Sequence, residues 1–271
     1  MPPLLFHNTL CVVRGGGDLA TGVVHRLHHA GFPVIVLELD QPRVVRRMVS
    51  VAQAIYDGAI TIDRLNALHY DSFAAAVIAR SGDIPVVTDP DGDSLSTLQP
   101  QILIDARMCK QPLDTKIDSA QFVVGLGPGF EAGVHCHAVI ETNRGHDLGR
   151  VIWKGAAQAD TGKPESVMGF EGDRVLRAPV AGVLCAQKEI GDLVRKDEVI
   201  ATVEGQKIIA PFDGALRGLI HDGISVNANE KVGDLDPRND SRYCFTISDK
   251  SLAVGGGVVE AVLSSGLLRD T

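Results

Sequence analysis

The first half of the chain alternates short apolar runs with segments of helical periodicity. Segments at Leu19–Ala30 and Ser72–Ala79 have helical spacing, and Gly31 ends the first of them. The strand-like apolar runs are Leu10–Val13, Pro33–Leu39, residues 84–89, Ile102–Asp105 and Phe122–Gly125. Apolar strands that alternate with helices indicate a parallel sheet covered on both faces. The pattern predicts an α/β fold, with a Rossmann-like domain over residues 1–150.

Residues 151–249 are rich in short strand-like runs and turns, and they contain a repeat. APVAGVL begins at Ala178 and APFDGAL begins 32 residues later, at Ala210. The same offset aligns three further pairs, which are Gly191 with Gly223, Val194 with Val226 and Glu198 with Glu230. Two similar units, each too small to bury a core alone, predict a pseudo-symmetric β-rich domain.

This repeat resembles the biotinyl/lipoyl-type barrel-sandwich hybrid, through the run GDLVRKDEVIATVEGQKIIAPFDG at residues 191–214. Carrier domains of that type modify a lysine on an exposed hairpin, several residues before the second A-P. Here only two isoleucines separate Lys207 from Ala210, and no Met flanks the lysine. We therefore expect an ordinary surface lysine and no covalent biotin or lipoyl group.

A helix of small residues is predicted near the end of the chain, within residues 250–271. Four of its apolar side chains share one helical face, namely Val258, Val259, Val262 and Leu263. We expect this face to pack back onto the first domain.

A glycine-rich loop, VVRGGGDLATG at residues 12–22, follows the first apolar run and precedes a helix. Gly15, Gly16, Gly17 and Ala20 fit G-x-G-x-x-A, a form of the dinucleotide-binding fingerprint. Gly15 would make the tight turn and Gly17 would let a phosphate approach the backbone at the helix N-terminus. The alternative is that the glycines only permit a close strand-to-helix connection.

Two acidic residues accompany this loop. Glu38 ends the second apolar run, where an acid can bond a ribose hydroxyl. Asp18 would repel a pyrophosphate unless it caps the helix or binds a cation, and we expect capping. Both residues belong to the predicted cofactor site.

A second loop follows FVV, with glycines at Gly125, Gly127 and Gly129. Ligands of open parallel sheets bind beyond the carboxyl ends of the strands. Two glycine loops meeting there predict one cleft for an extended anionic molecule. Neither loop has the Gly-Lys-Ser/Thr ending of a P-loop, so NTP hydrolysis of that type is not expected.

Polar residues cluster in GVHCHAVIETNRGHDLGR, residues 133–150. His135 and His137 would share one side of a strand, but two ligands do not make a metal site, so we predict none. We expect His137 and Arg144 to line the cleft or the turn of a hairpin. Arg107, which follows the run ILID, is a further candidate contact for an anion. Each arginine could equally form a surface ion pair.

The composition of the chain argues against two classes of partner, nucleic acids and membranes. The formal charge of −8 argues against non-specific nucleic-acid binding, and no apolar run of eighteen residues suggests a membrane span. The start of the chain does not resemble a signal peptide, and the five cysteines include no CxxC pair. We expect a cytoplasmic protein with no nucleic-acid or membrane partner. A sulfur-carrying role for Cys109 or Cys136 is left open.

Taken together, several runs closely resemble the YqeB-like family of selenium-dependent molybdenum hydroxylase system proteins. They include VVRGGGDLATGVVHRLHHAGFPVIVLE, ILIDAR, VVGLGPGFEAGVHCHAVIETNRGHDLGRVIW, VLRAPVAG and LDPR. The nucleotide-binding part of that family is similar to xanthine dehydrogenase accessory proteins. The resemblance implies an accessory or maturation role, with a molybdenum hydroxylase apoenzyme as partner and a molybdenum cofactor (a pterin dinucleotide) as ligand.

Two alternatives remain at this stage. The same loop suits an NAD(P)-dependent oxidoreductase, for which His137 or His146 would be the proton donor and Glu38 would favour NAD. A non-catalytic interaction scaffold would need the glycines only for packing. Whether the protein is an enzyme, and its oligomeric state, are left open.

Overall fold

The computed structural model describes residues 4–71, 74–109, 114–159, 168–170 and 172–268. The chain divides into two compact units. Unit 1 comprises Met1–Pro42, Val51–Asp160 and Ile247–Thr271, and unit 2 comprises Arg43–Ser50 and Thr161–Thr246. The fold is mixed α/β, with a large sheet in unit 1, a β-rich unit 2 and a C-terminal helix.

Unit 1 contains most of the regular structure. Its strands are β1 (Cys11–Arg14), β2 (Val34–Glu38), β3 (Ala59–Ile62), β4 (Leu65–Tyr70), β5 (Ile84–Thr88), β6 (Ile102–Asp105), β7 (Phe122–Leu126), β8 (Glu131–Ala132), β9 (Ala138–Ile140), β10 (Val151–Ile152) and β11 (Gly155–Ala156). Its helices are α1 (Asp18–His29), α2 (Ala54–Asp57), α3 (Ala75–Ser81), α4 (Leu95–Leu98) and α5 (Asp249–Ser264).

Nine strands form one sheet in the order β10-β9-β7-β6-β1-β2-β5-β4-β3. Neighbours from β9 to β4 pair in parallel, whereas β10 and β3 pair antiparallel at the two edges. Strands β1, β2, β6 and β7 are buried along their whole length. This burial explains why these strands are apolar rather than alternating, except for the charged residues that end β1, β2 and β6.

The apolar runs predicted as strands are all present, with ends shifted by at most one residue. The β3–β4 hairpin was not predicted, because its turn residues Asp63 and Arg64 adopt positive φ without the usual Gly or Asn signal. Helix α3 begins at Ala75, and residues 72 and 73 of the predicted helix lie outside the described residues.

The domain boundaries differ from the prediction of 1–150, 151–249 and 250–271. Strand β10 extends unit 1 past residue 150, because it pairs with β9 as a hairpin, and β11 pairs with β8. The C-terminal helix is part of unit 1, and residues 43–50 belong to unit 2.

Helix α5 packs directly on α1 through small residues. A Cβ at Gly22 would lie 2.1 Å from the carbonyl oxygen of Ser251, and a Cβ at Gly255 would lie 2.3 Å from the carbonyl oxygen of Gly22. The predicted apolar face is only partly right. Val258 and Val262 are buried, whereas Leu263 is exposed, because the contact follows the glycine stripe.

Unit 2 consists of two four-stranded sheets, in the orders β12-β19-β17-β14 and β16-β15-β13-β18. The strands are β12 (Val175–Arg177), β13 (Gly182–Ala186), β14 (Leu193–Val194), β15 (Val199–Val203), β16 (Gln206–Ile209), β17 (Gly214–Leu219), β18 (Ser225–Val226) and β19 (Lys231–Asp236). Short 3₁₀ helices lie at Arg47–Val49, Val51–Gln53, Gly172–Arg174 and Ser241–Cys244.

The predicted repeat is confirmed in unit 2. Strands β12 to β15 correspond in order to β16 to β19, and replacing each strand by its counterpart converts one sheet order into the other. The turns also match, since Glu198 accepts the Arg195 N–H and Glu230 accepts the Asn227 N–H. The two copies are therefore interlaced, and each sheet contains strands from both.

Lys207 lies within β16, opposite Thr202 of β15, and its side chain is exposed. The tip of this hairpin is Glu204-Gly205, both with positive φ. Within the described residues, no helix has the length and apolar character required to cross a bilayer.

Candidate functional site

The carboxyl ends of the parallel strands bring the predicted loops to one edge of unit 1. Arg14 of β1, Asp105 of β6 and Gly125 of β7 are paired in register across three neighbouring strands. The glycine loop after β1 and the loop after β7 therefore leave the same edge, about 10 Å apart at two strand spacings. The strand order reverses between β1 and β6, as at ligand sites of open α/β sheets.

Packing accounts for the first two glycines of the loop after β1. Gly15 has φ +93°, and a Cβ there would lie 3.2 Å from the backbone of Arg107. A Cβ on Gly16 would lie 2.9 Å from the backbone nitrogen of Ala52. Gly17 is the N-cap of α1, with φ −68° and ψ −175°, a conformation open to any residue. The loop backbone thus does not require glycine at residue 17.

Glu38 bonds the glycine loop itself. Its carboxylate accepts the Gly16 N–H at 2.6 Å and the Leu39 N–H at 2.7 Å, and the residue is buried. Burial raises the pKa of Glu38, although both N–H bonds act in the opposite direction. Glu38 therefore fixes the loop against the end of β2, and its contact with a ribose stays a prediction.

Asp18 does not cap α1, so that prediction is wrong. The N-cap is Gly17, which has no capping side chain, and Asp18 is the first helical residue. Its carboxylate accepts a hydrogen bond from the Ser251 hydroxyl of α5. Asp18 therefore ties the start of α1 to α5.

A cluster of charged residues lies beyond β1 and β6. Arg14 is buried and holds Asp114 with two hydrogen bonds, Nη1–Oδ1 at 2.8 Å and Nη2–Oδ2 at 2.9 Å. Arg107 bonds the same Asp114 carboxylate through Nη2 at 2.6 Å, and its Nε lies 3.1 Å from Oδ1 of the buried Asp105. The Thr115 hydroxyl donates to Asp105 at 2.7 Å. Two arginines and two aspartates thus share one polar centre.

The cluster holds the Asp114 carboxylate ionised. Partial burial raises the pKa of Asp114, but the Arg14 and Arg107 hydrogen bonds outweigh it and bring the pKa to about 2. Sequence reasoning identified Arg107 and Asp105 but missed Arg14 and Asp114. Arg14 directly precedes the glycine triplet, so a charge at the end of a buried strand was the available signal.

The second loop has structural reasons for two of its glycines. A Cβ on Gly125 would lie 2.4 Å from the Phe130 ring, and one on Gly127 would lie 2.5 Å from the Thr142 hydroxyl. Gly127 and Gly129 both have positive φ. The loop begins at the carboxyl edge of the sheet, as predicted, and its contact with a ligand stays a prediction.

His137 lies at the opposite edge of the sheet, whereas Arg144 lies in the turn of the β9–β10 hairpin, one of the two positions expected for it. His137 directly precedes β9, and its Nδ1 accepts the Val123 N–H near the start of β7. Parallel strands place these starts at the opposite edge of the sheet. Arg144 lies in the β9–β10 loop and pairs with Asp249, Nη1–Oδ2 at 2.6 Å. His137 therefore does not line the predicted cleft, and the turn that contains Arg144 follows the carboxyl end of β9, at the same edge as the loop after β7.

The two thiols near the predicted loops are not activated. Cys136 is buried, and burial raises its pKa to about 11. Burial also raises the pKa of Cys109. Within the described ranges, no group of three or more His, Cys, Asp or Glu side chains is placed to hold a metal ion.

A cavity of about 200 Å³ lies near the end of β5. Its lining includes three acidic residues, Asp71, Asp89 and Asp93, and three apolar residues, Ala75, Val87 and Leu98. The Asp89 N–H donates to the Glu38 carbonyl at 2.9 Å. The carboxyl edge of the sheet therefore has an open pocket next to the end of β2.

The chain is thus a mixed α/β protein whose main sheet reverses its strand order between β1 and β6 and whose second unit contains a β repeat. The chain is 47% identical over 255 residues to "Uncharacterized protein YqeB" of Escherichia coli (strain K12), covering 94% of this chain and 47% of that protein. It belongs to the YqeB-like family and spans about half the length of that relative. No family model matches the sequence.

Two solved structures show a weaker likeness. An aspartoacylase family protein from Mesorhizobium loti shares 12% identity, with 78% of this chain and 59% of that chain covered, at a TM-score of 0.25. The ectoine utilization protein EutE (DoeB) from Ruegeria pomeroyi shares 10% identity, with 84% and 86% covered, also at 0.25. Scores this low support no argument about fold or function.

Proposed function

We propose that this chain binds a phosphate-bearing cofactor, a pterin dinucleotide or related nucleotide, and acts as an accessory protein in molybdenum hydroxylase maturation. The observation that carries the binding proposal is the glycine turn between β1 and α1, placed where the strand order reverses. We further infer that unit 1 is Rossmann-like and unit 2 a barrel-sandwich hybrid, from their strand orders.

Different residues at this edge would bind different groups of the cofactor. The N-terminus of α1, which begins after Gly17, would receive a phosphate, because N–H groups and the helix dipole favour an anion there. Glu38 would accept a hydrogen bond from a ribose hydroxyl through the remaining lone pairs of its carboxylate oxygens. The molybdenum hydroxylase and the pterin are supported by the family resemblance alone, and the cytoplasmic location by scattered cysteines without a CxxC pair.

An interaction scaffold is the second candidate, because packing alone explains Gly15 and Gly16. The third, an NAD(P)-dependent oxidoreductase, loses one proton donor, since His137 lies at the other edge of the sheet. His146 stays a prediction for that role.

Replacement of Gly17 by Ala tests the binding proposal. The φ of −68° accepts a Cβ without backbone strain, whereas the added methyl would stand in the path of a phosphate at the start of α1. We expect Gly17→Ala to weaken cofactor binding about tenfold or more, a difference of about 1.4 kcal/mol. The matched control is Gly256→Ala in α5, where a Cβ meets no atom within 4 Å.

Binding is measured by thermal shift with a pterin dinucleotide and with NADH, after native mass spectrometry for retained ligand. A tight ligand must stabilise the folded protein. Stabilisation by the pterin alone supports the first candidate, and stabilisation by NADH supports the oxidoreductase. If neither ligand stabilises the protein at millimolar concentration, the scaffold is the correct reading.

A further inference from the structure

An aspartate of the chain itself occupies a position built for an external anion. The Asp114 carboxylate accepts hydrogen bonds from both terminal nitrogens of Arg14 and from one of Arg107, with N···O distances of 2.6–2.9 Å. A guanidinium fork binds a carboxylate and a phosphate in the same manner. The space between the two arginines is therefore, by its chemistry, an anion site.

The burial of the partners is unequal. The Arg14 side chain is 4% exposed, whereas that of Asp114 is 45% exposed. Arg107 has a local counter-ion in Asp105, but the other hydrogen bonds of Arg14 go to neutral oxygens of Thr115 and Pro90. Within the described residues, Asp114 is the one carboxylate paired with Arg14, and a buried arginine that loses its counter-ion is strongly destabilised, so a replacement anion is favoured.

We propose that Arg14 and Arg107 form a binding site for a phosphate or carboxylate group of the ligand, which displaces Asp114 as an internal occupant. With Asp114 in place, two arginines and two aspartates balance, and its departure leaves one net positive charge for the ligand. The site adjoins the glycine loop, because a Cβ on Gly15 would lie 3.2 Å from the Arg107 backbone. The ligand's identity rests on the proposed function, but the anion chemistry does not.

Asp114→Asn tests this proposal with inorganic pyrophosphate as the probe. The substitution keeps the side-chain size and removes the competing charge. We expect the full chain carrying Asp114→Asn to bind pyrophosphate about tenfold more tightly than the wild type, by isothermal titration calorimetry at fixed salt. The gain should vanish in the double variant Asp114→Asn/Arg14→Gln, because the receiving fork is then absent.

The matched control is Asp118→Asn, an equal change of charge at an exposed residue four positions along the chain. It should leave pyrophosphate affinity unchanged. Equal gains in Asp114→Asn and Asp118→Asn would reduce the effect to net charge and overturn the proposal, and so would no gain in either. If Asp114→Asn is unfolded, recovery of the fold with pyrophosphate supports the site. No recovery would make Asp114 a structural counter-ion and overturn it.

Parallel titrations separate the possible ligands. Pyrophosphate binding more tightly than malonate to Asp114→Asn identifies a phosphate group, and the reverse order identifies a carboxylate. Failure of the proposed function has a different signature: pyrophosphate would bind Asp114→Asn while neither pterin dinucleotide nor NADH stabilised any variant. If a cofactor stabilises the protein but Asp114→Asn does not bind pyrophosphate more tightly, only the two-arginine site is refuted.

Discussion

Asp-x-Arg sequences recur in this chain as local ion pairs. In each, the aspartate accepts the backbone N–H and the guanidinium of the arginine two residues later; the pairs are Asp105/Arg107, Asp236/Arg238 and Asp240/Arg242. The geometry is encoded locally, so it forms wherever the sequence occurs. The pairs differ in burial, and burial should decide their energetic weight.

We expect Asp105→Asn to lower the free energy of unfolding by about 3 kcal/mol, because it leaves Arg107 partly buried without its full counter-charge. Asp105 has no solvent exposure. Urea unfolding measures the loss. Asp240→Asn makes the same change in a pair whose arginine is largely exposed, and it should have little effect. Equal losses in the two variants would contradict the burial argument.

At the residue scale, the sequence predicted the contacts that follow from local spacing. The fingerprint placed the glycine triplet beside Glu38, and the structure joins Gly16 to that carboxylate. It could not predict that Asp114 meets Arg14, since 100 residues separate them. It misplaced His137 because closeness in sequence to a loop does not reveal at which edge of a parallel sheet a residue lies.

The α1–α5 crossing offers the sharpest test at the scale of elements. Gly22→Ala should cost roughly 2–3 kcal/mol, because the new Cβ would overlap a backbone carbonyl that cannot move cheaply. Gly256→Ala, on the open side of α5, should instead stabilise by about 0.5–1 kcal/mol through helix propensity. Chemical denaturation of both variants measures the difference. Similar behaviour of the two would show that the helices do not pack this closely.

Helix α1 also gives a pH-dependent stability. Burial lowers the pKa of His25, the neighbouring His29, Arg26 and His28 lower it further, and Asp63 opposes them. The pKa of His25 in the folded chain therefore lies below its usual value of about 6.5. Between these two pKa values the unfolded chain binds more protons than the folded chain, so the free energy of unfolding falls as the pH drops below neutral. His25→Gln should flatten the decline in Tm between pH 7.5 and 5. The exposed His146→Gln is the control, and an unchanged slope in His25→Gln would refute the assignment.

The elements themselves were the most predictable part of the fold. Buried strands are apolar up to a charged residue at their carboxyl end, so their runs mark them plainly in the sequence. The face of α5 was less predictable, because its contact is made by Gly255 and Gly257 rather than by its larger apolar side chains. A hydrophobicity pattern gives no weight to a glycine that is buried for close approach.

At the scale of the whole molecule, the β repeat could be predicted because each copy carries its own turn residues. The assignment of residues 43–50 to unit 2 could not, since it depends on contacts distant in sequence. Arg43 bonds Glu230 at 2.6 Å, and Arg47 donates to the Leu219 carbonyl. A segment between two elements of one unit thus completes the other unit.

The contact between Val45 and Gly218 tests this division. A Cβ on Gly218 would lie 2.8 Å from Val45 Cγ1 and 3.0 Å from its carbonyl oxygen, so Gly218→Ala should destabilise unit 2 by about 1–3 kcal/mol. Faster amide hydrogen exchange in β17 and β19 reports that loss.

The single tryptophan, Trp153, belongs to unit 1, so its fluorescence reports the unfolding of that unit. If the two cores unfold separately, its fluorescence midpoint in urea should be unchanged in Gly218→Ala, because the altered contact lies wholly in unit 2. Gly172→Ala, where a Cβ meets nothing within 4 Å, is the control for unit 2 and should leave both readouts unchanged. A Trp153 midpoint that falls together with the exchange protection of β17 would show one cooperative molecule instead of two.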